Sequence, residues 1–221
     1  MKTDAEIKKD VVSELEWDPA IDATQVGVTV KDQVVTLSGH LDTYAQKYAI
    51  ERAVQRVAGV RAVAVELDVK LDPRHVRSDA EIALAAEQAL TWHALVPHER
   101  IRVQVEKGWI TLSGEVDWHY QRENASKAVR ELTGVTGVTN GLTLRPQATP
   151  SHISDRIRAA LTRQVEREAR RIEVSVEGST ATLRGDVHSW AERTAAEGAT
   201  WSAPGIRRVV NELQVDSRTT P

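Results

Sequence analysis

The stretch "GWITLSGEVD" at residues 108–117 decides the fold, because a similar ten-residue sequence occurs twice more in the chain and shows that the chain is a repeat. The other two occurrences read "QVVTLSGHLD" at 33–42 and "STATLRGDVH" at 179–188. When the three copies are aligned on their glycines, each keeps a second glycine 20 residues downstream. The six glycines are Gly39 and Gly59, Gly114 and Gly134, and Gly185 and Gly205.

The alignment extends upstream without a gap, to Ile7, Ile82 and Ile153. The resulting period of 71–75 residues exceeds the 20–50 residues that are usual for stacked repeats, so each copy is predicted to be a compact domain. Proline-containing linkers separate the copies at 70–76 and 144–150. The predicted domains are 1–72, 73–147 and 148–221.

Each copy opens with a helix signal. Capping boxes run from Thr3 to Glu6 and from Ser78 to Glu81, and apolar residues follow them at helical spacing. In the third copy Thr149 precedes Pro150, which predicts a helix with proline at its first position.

The rest of each copy predicts a hairpin, a second helix and a last strand. Apolar residues alternate on both sides of a short polar turn, as in 26–37. The period then becomes helical, with Ile50, Ala53, Val54 and Val57 on one face. We expect the first glycine of each copy to allow a tight turn or close packing, and the second to cap the helix.

The predicted fold class is therefore α+β, as three tandem αββαβ domains. A strand, a helix and a strand within one small sheet favour a parallel crossover. Each domain is expected to be a three-stranded mixed sheet with two helices packed on one face.

Composition narrows the possible functions. The net charge of −3 argues against nucleic-acid binding, which usually needs a basic excess. The sequence contains no cysteine, so disulfides and thiolate zinc sites are excluded. The sequence contains no run of 18 apolar residues, so no membrane-spanning helix is predicted. The N-terminus has no apolar signal region. From the sequence as written we expect a cytoplasmic protein rather than a periplasmic one.

No catalytic pattern repeats between the copies. The sequence contains no HExxH and no phosphate-binding glycine loop, and its seven histidines are scattered. The prediction is a protein that is not an enzyme and that uses neither a cofactor nor a metal.

The third copy differs from the others in charge. Residues 1–72 have 9 basic and 13 acidic side chains, a balance of −4, whereas 148–221 have 11 and 10, a balance of +1. On a helix, Arg156, Arg163, Arg167 and Arg170 would lie on one side. This row could bind phosphate head groups. The alternative is a solvated face paired with Glu166 and Glu168.

Two tryptophans stand at the same position of the first helix in different copies, Trp17 and Trp92. Packing in a core or between domains is the favoured interpretation, and anchoring at a membrane interface is the alternative. Trp118 and Trp190 come at the start of the second helix.

The phrases "GVTGVTNGL" at 134–142 and "GIRRVVNEL" at 205–213 resemble the end of the BON domain, as does the spacing of valines and glycines before them. Val65 departs from the pattern, since Asn140 and Asn211 stand at its position in the other copies. The resemblance covers nearly the whole chain.

This resemblance implies a non-enzymatic module that binds phospholipid or a membrane interface and is associated with osmotic or envelope stress. Its partner would be an anionic phospholipid or a protein. The alternative is a cytoplasmic, stress-associated protein-interaction scaffold or small-ion binder without a lipid ligand. From the sequence as written we expect neither a signal peptide nor a lipobox.

Limited proteolysis tests the domain boundaries. Because prolines and polar residues make the segments around 72 and 147 poor in regular structure, we expect a protease at low dose to cut there first. Mass spectrometry of the first fragments identifies the sites. Early cuts inside a copy, with both linkers protected, would contradict the boundaries.

Overall fold

A computed structural model of the chain describes residues 2–148, 150–164, 172–187 and 189–215. The first copy consists of α1 (Asp4–Trp17), β1 (Val26–Lys31), β2 (Val34–Leu41), α2 (Tyr44–Arg56) and β3 (Ala62–Val69). The second consists of α3 (Asp79–Trp92), β4 (Ile101–Glu106), β5 (Trp109–Val116), α4 (His119–Arg130) and β6 (Gly137–Leu144). The third consists of α5 (Ile153–Gln164), β7 (Glu173–Glu177), β8 (Thr180–Val187), α6 (Trp190–Trp201) and β9 (Arg208–Val215).

Each copy forms its own three-stranded sheet, with the second strand of the hairpin in the middle. The hairpin is antiparallel and the last strand is parallel, so that Leu37 lies opposite Val28 on one side and Val65 on the other. Alternate residues of the middle strand, such as Val35 and Leu37, are fully buried under the helices. The predicted α+β class and the order αββαβ are confirmed.

The first two copies begin their helices as predicted. The hydroxyl of Thr3 accepts from the Glu6 backbone N–H, the Thr3 N–H donates to the Glu6 carboxylate, and Ser78 and Glu81 repeat both bonds. The prediction for Pro150 is wrong. Helix α5 begins at Ile153, because the carbonyl of His152 accepts the first backbone hydrogen bonds, and Thr149 is outside the described residues.

All six repeated glycines have positive φ, between +85° and +133°. At Gly39 a Cβ atom would overlap the carbonyl oxygen of Gln25, the residue just before β1. The second glycine is not the helix cap that the sequence predicts, since α2 is capped by Val57 and Gly59 comes two residues later. Gly59 instead brings the chain against α1, where its Cβ position lies 3.3 Å from Cδ1 of Ile7.

The asparagine that the first copy lacks holds the last strand to the second helix. The Nδ2 group of Asn140 donates to the carbonyl of Arg122, and its Oδ1 atom accepts from the backbone N–H of Leu142. In the first copy, the ammonium group of Lys47 donates to the carbonyl of Leu67. Arg193, at the same position of the third copy, donates to the equivalent carbonyl of Leu213. The first copy thus keeps the link made by a cationic side chain of the helix and lacks only the one made by the asparagine.

The three copies join through the aromatic residue that stands five positions after the first glycine. Trp190 packs against the core of the first copy and donates its indole N–H to the carbonyl of Val60 at 2.8 Å. His119 of the second copy stacks on Trp201 of the third, with ring centroids 4.2 Å apart. Tyr44 of the first copy packs against the core of the second.

These contacts run in one sense, from the first copy to the second, from the second to the third, and from the third to the first. Head-to-tail contacts of this kind close into a ring. Two further contacts reinforce it: the guanidinium of Arg130 lies 3.4 Å from the ring centroid of Tyr48, and Arg207 donates to the carbonyl of Leu144. The starts of the second helices therefore lie at the junctions of the ring.

The His119 junction makes stability depend on pH. Burial, followed by the nearby charge of Arg122, lowers the pKa of His119 to about 4, and Glu197 acts in the opposite direction. The folded protein thus prefers the neutral imidazole, whose full contribution is present above the unfolded pKa of about 6.5 and is lost as the pH falls toward 4.

Replacing His119 with Phe keeps a ring on Trp201 but removes the titration. Between about pH 7 and pH 4 we expect the natural protein to lose on the order of 1 kcal/mol of unfolding free energy relative to H119F, after allowance for solvent screening. Urea titrations of both proteins across this range measure the difference. A difference that stays constant with pH would contradict the assignment.

Candidate functional site

A groove of about 350 Å³ lies in the third copy between α5 and the end of α6. Its lining residues are Ile153, Arg156, Ile157, Ala159, Ala160, Arg163, Ala199, Ser202, Ala203 and Pro204. Arg156 and Arg163 are separated by seven residues, which is two helical turns, so both lie on the same side of α5. The groove therefore combines an apolar floor with two cationic side chains at its edge.

Small side chains make room for this groove. Ala159 and Ala160 take the places of Ser13 and Glu14 in the first copy, and Ala203 takes that of Val57. Ile157 closes the floor and is 1% exposed. A long apolar group could thus contact several methyl groups at once without displacing a core side chain.

The corresponding groove of the first copy is neutralised by ion pairs. Its lining residues are Lys2, Asp10, Ser13, Glu14, Trp17, Val57 and Ala58. Asp10 pairs with Lys2 at 2.6 Å, and Glu14 pairs with Arg56 at 2.8 Å. In the third copy, Arg156 replaces Asp10 and Ala160 replaces Glu14. The first replacement puts a positive charge where the first copy has a negative one, and the second removes a negative charge.

The two arginines of the groove are exposed. Among the described residues, no carboxylate lies within 4 Å of either guanidinium. The neighbouring Arg158, by contrast, pairs with Asp155 at 2.9 Å. The charges of Arg156 and Arg163 are therefore available to an anion as far as the described part of the chain shows.

Half of the predicted arginine row lies in the described structure. Arg156 and Arg163 come together in the groove as the helical spacing predicts. Arg167 and Arg170 lie outside the described residues, as do Glu166 and Glu168, the carboxylates of the alternative interpretation.

Trp17 and Trp92 are exposed to solvent, by 84% and 87%. The favoured interpretation, that they pack in a core or between domains, is wrong. Each comes two residues after the last buried leucine of its helix, and two residues are a rotation of about 200°, which turns the side chain away from the core. Arg163 stands at the same position in the third copy.

The second copy has the most apolar first helix. Leu84 of α3 and Leu95 in the turn after it are more than half exposed, and Leu84 lies eight residues before Trp92, on the same side of α3. In the first copy Lys9 stands at the position of Leu84. The first helices thus present exposed tryptophans in two copies and exposed arginines in the third.

Two further features are missing from the part of the chain that the structure describes. No group of three or more histidine, cysteine, aspartate or glutamate side chains there could hold a metal ion. No helix in the same part of the chain has the length and apolar character needed to cross a membrane.

Comparison with known proteins places these observations in a family. The family model of the BON domain matches residues 3–70, 78–146 and 150–217. The osmotically-inducible protein Y of Escherichia coli K12 is 31% identical over 130 residues, which are 55% of this chain and 63% of that protein.

Among solved structures, CdsD, a structural protein of the type III secretion system of Chlamydia trachomatis, aligns with 16% identity and a TM-score of 0.26 over 93% of this chain and 90% of its own. The C-terminal domain of CdsD aligns with the same identity and TM-score, over 97% of this chain and all of its own. Since the family model accounts for most of the sequence in three matches, the chain belongs to the BON domain family.

Proposed function

We propose that this protein is a non-enzymatic module that binds anionic phospholipid surfaces through its first helices and acts during osmotic stress. The observation that carries the proposal is a pair of exposed guanidinium groups above an apolar floor, those of Arg156 and Arg163, which have no carboxylate partner among the described residues. The similarity to the osmotically-inducible protein Y of Escherichia coli supports the association with osmotic stress.

The groove has the chemistry of an amphiphile site. A guanidinium offers a planar fork of N–H donors that matches phosphate oxygens, and two of them stand at the groove edge. The methyl groups of Ala159, Ala160 and Ala203 would contact the glycerol and the upper part of an acyl chain. The apolar floor favours a lipid over a free inorganic phosphate.

The exposed tryptophans suit the same surface. Tryptophan is enriched at membrane–water interfaces, where its ring lies at the level of the head groups. When three copies of one repeat close into a ring through corresponding contacts, residues at the same position of each copy lie on the same side of the ring. Trp17, Trp92 and Arg163 stand at one such position and would therefore face a membrane together. The acidic first copy is repelled by an anionic membrane. Binding therefore depends on the positive charge of the third copy.

Vesicle sedimentation of the full chain tests the proposal. Basic residues close to an anionic surface contribute about 1 kcal/mol each, so R156Q/R163Q should weaken binding to phosphatidylglycerol-containing vesicles roughly thirtyfold. The effect should shrink between about 50 and 300 mM salt because the Debye length shortens. W17S/W92S should weaken binding at both salt concentrations.

The matched control is R158Q/R184Q, which removes the same charge from two arginines that are already paired, with Asp155 and Glu212. We expect little change with this variant. Equal losses in both arginine variants would show a response to net charge alone, and an unaffected R156Q/R163Q would remove the groove from the proposal.

A protein-interaction scaffold is the second candidate. The exposed Leu84 and Trp92 favour it, because they lie on the same side of α3 and apolar side chains grouped on a surface are typical of interfaces. Failure of the natural protein to sediment with anionic vesicles at either salt concentration would leave this candidate ahead.

A further inference from the structure

The second copy carries a feature on the outer face of its sheet, opposite the helices. Trp109 alternates with Ile110, which is fully buried, so its indole lies on the side of the sheet that the helices leave uncovered. The indole N–H donates to the hydroxyl of Thr139 at 2.9 Å. The ring is therefore fixed across the neighbouring strand β6.

Gly137 allows the ring to lie flat. It stands directly opposite Trp109 in the parallel pair, and a Cβ atom there would overlap three atoms of the indole. Gly137 has no positive φ, so its backbone conformation does not require glycine. The glycine is needed for the space under the ring.

The arrangement is confined to the second copy and needs three residues to depart from the repeat together. At the positions of Trp109, Gly137 and Thr139 the first copy has Val34, Ala62 and Ala64, and the third copy has Thr180, Arg208 and Val210. These residues do not contribute to the buried core, so core packing does not account for the joint change.

The fixed indole remains 49% exposed and opens into a concavity of about 370 Å³. The other lining residues are Gln104, Glu106, Lys107, Thr111 and Thr136, all of them polar. An aromatic face that is already immobilised has lost its rotational freedom before a ligand arrives, which lowers the entropic cost of binding.

We infer that Trp109 is the platform of a carbohydrate site that binds one pyranose ring. A pyranose has an apolar C–H face, which the electron-rich face of an indole attracts, and a rim of hydroxyl groups. Hydroxyl, amide, ammonium and carboxylate groups surround this platform and can pair with that rim. An apolar ligand would leave these polar groups without partners, which is costly.

The site is independent of the phospholipid proposal, because it lies on the sheet of the second copy and uses none of the groove residues. Its test uses the full chain labelled with ¹⁵N, in which the six tryptophan indole N–H groups give separate signals. The probes are cellobiose, N,N′-diacetylchitobiose and maltose, with adenosine monophosphate as a planar aromatic comparison.

We expect at least one disaccharide to shift the Trp109 indole signal saturably, with a dissociation constant on the order of 1–10 mM, while the signals of Trp17 and Trp92 stay in place. W109V installs the residue of the first copy and should abolish binding; because this variant lacks the Trp109 signal, its binding is measured from the backbone N–H signals of Gln104, Thr111 and Thr136, which line the same concavity. G137A keeps the indole but displaces it, and should weaken binding at least tenfold. The unchanged signals of the other tryptophans show that both variants are folded.

T139V frees the indole without removing it, and should weaken binding by a smaller factor than W109V. Three outcomes would overturn the inference: no shift with any disaccharide, equal shifts of all exposed tryptophans, or a response of Trp109 to the nucleotide alone. Undiminished binding by W109V would overturn it as well.

Discussion

Each copy begins its second helix with an aromatic side chain that packs on the next copy. The closed arrangement of the three domains depends on these contacts. Tyr44 and Trp190 contribute to cores that belong to other copies, and His119 stacks on Trp201. A domain of about 70 residues buries only about 60% of its unfolded surface, so contacts between domains add stability that one core cannot supply. Their placement also determines which surfaces stay open, namely the first helices and the outer faces of the sheets.

The secondary structure of the copies could be predicted because it depends on neighbours in sequence. Alternation in 26–37 and the helical spacing from Ile50 to Val57 are properties of short segments, and the capping boxes involve residues three apart. The ring could not be predicted in the same way. The three aromatic residues at the junctions are a tyrosine, a histidine and a tryptophan, so they do not stand out as one repeated residue. A comparison of tryptophans alone also matches Trp190 with Trp118, although the residue at its position in the second copy is His119.

The candidate site shows the same division. Helical spacing alone brings Arg156 and Arg163 together, but the groove beside them needs Ala199 and Ala203 from another helix. The exposure of Trp17 could have been predicted, because two residues after Leu15 a helix has turned its side chains away from the core. The platform at Trp109 had a weaker signal, a glycine at 137 that the repeat does not require. In a protein built of repeats, positions at which one copy differs from the others thus indicate surfaces that belong to that copy alone.

The hydrogen bond between Trp190 and Val60 joins residues 130 apart in the chain. The contacts within each copy can form as soon as that copy has left the ribosome, whereas this junction forms only when the third copy has been synthesised. Until then the first copy presents an empty docking surface. Trp190 of a second chain can occupy that surface instead, and a head-to-tail contact passed from chain to chain builds an open filament rather than a closed ring. The Trp190 junction therefore has a second consequence besides stability, since it covers within one chain the surface through which chains could otherwise join.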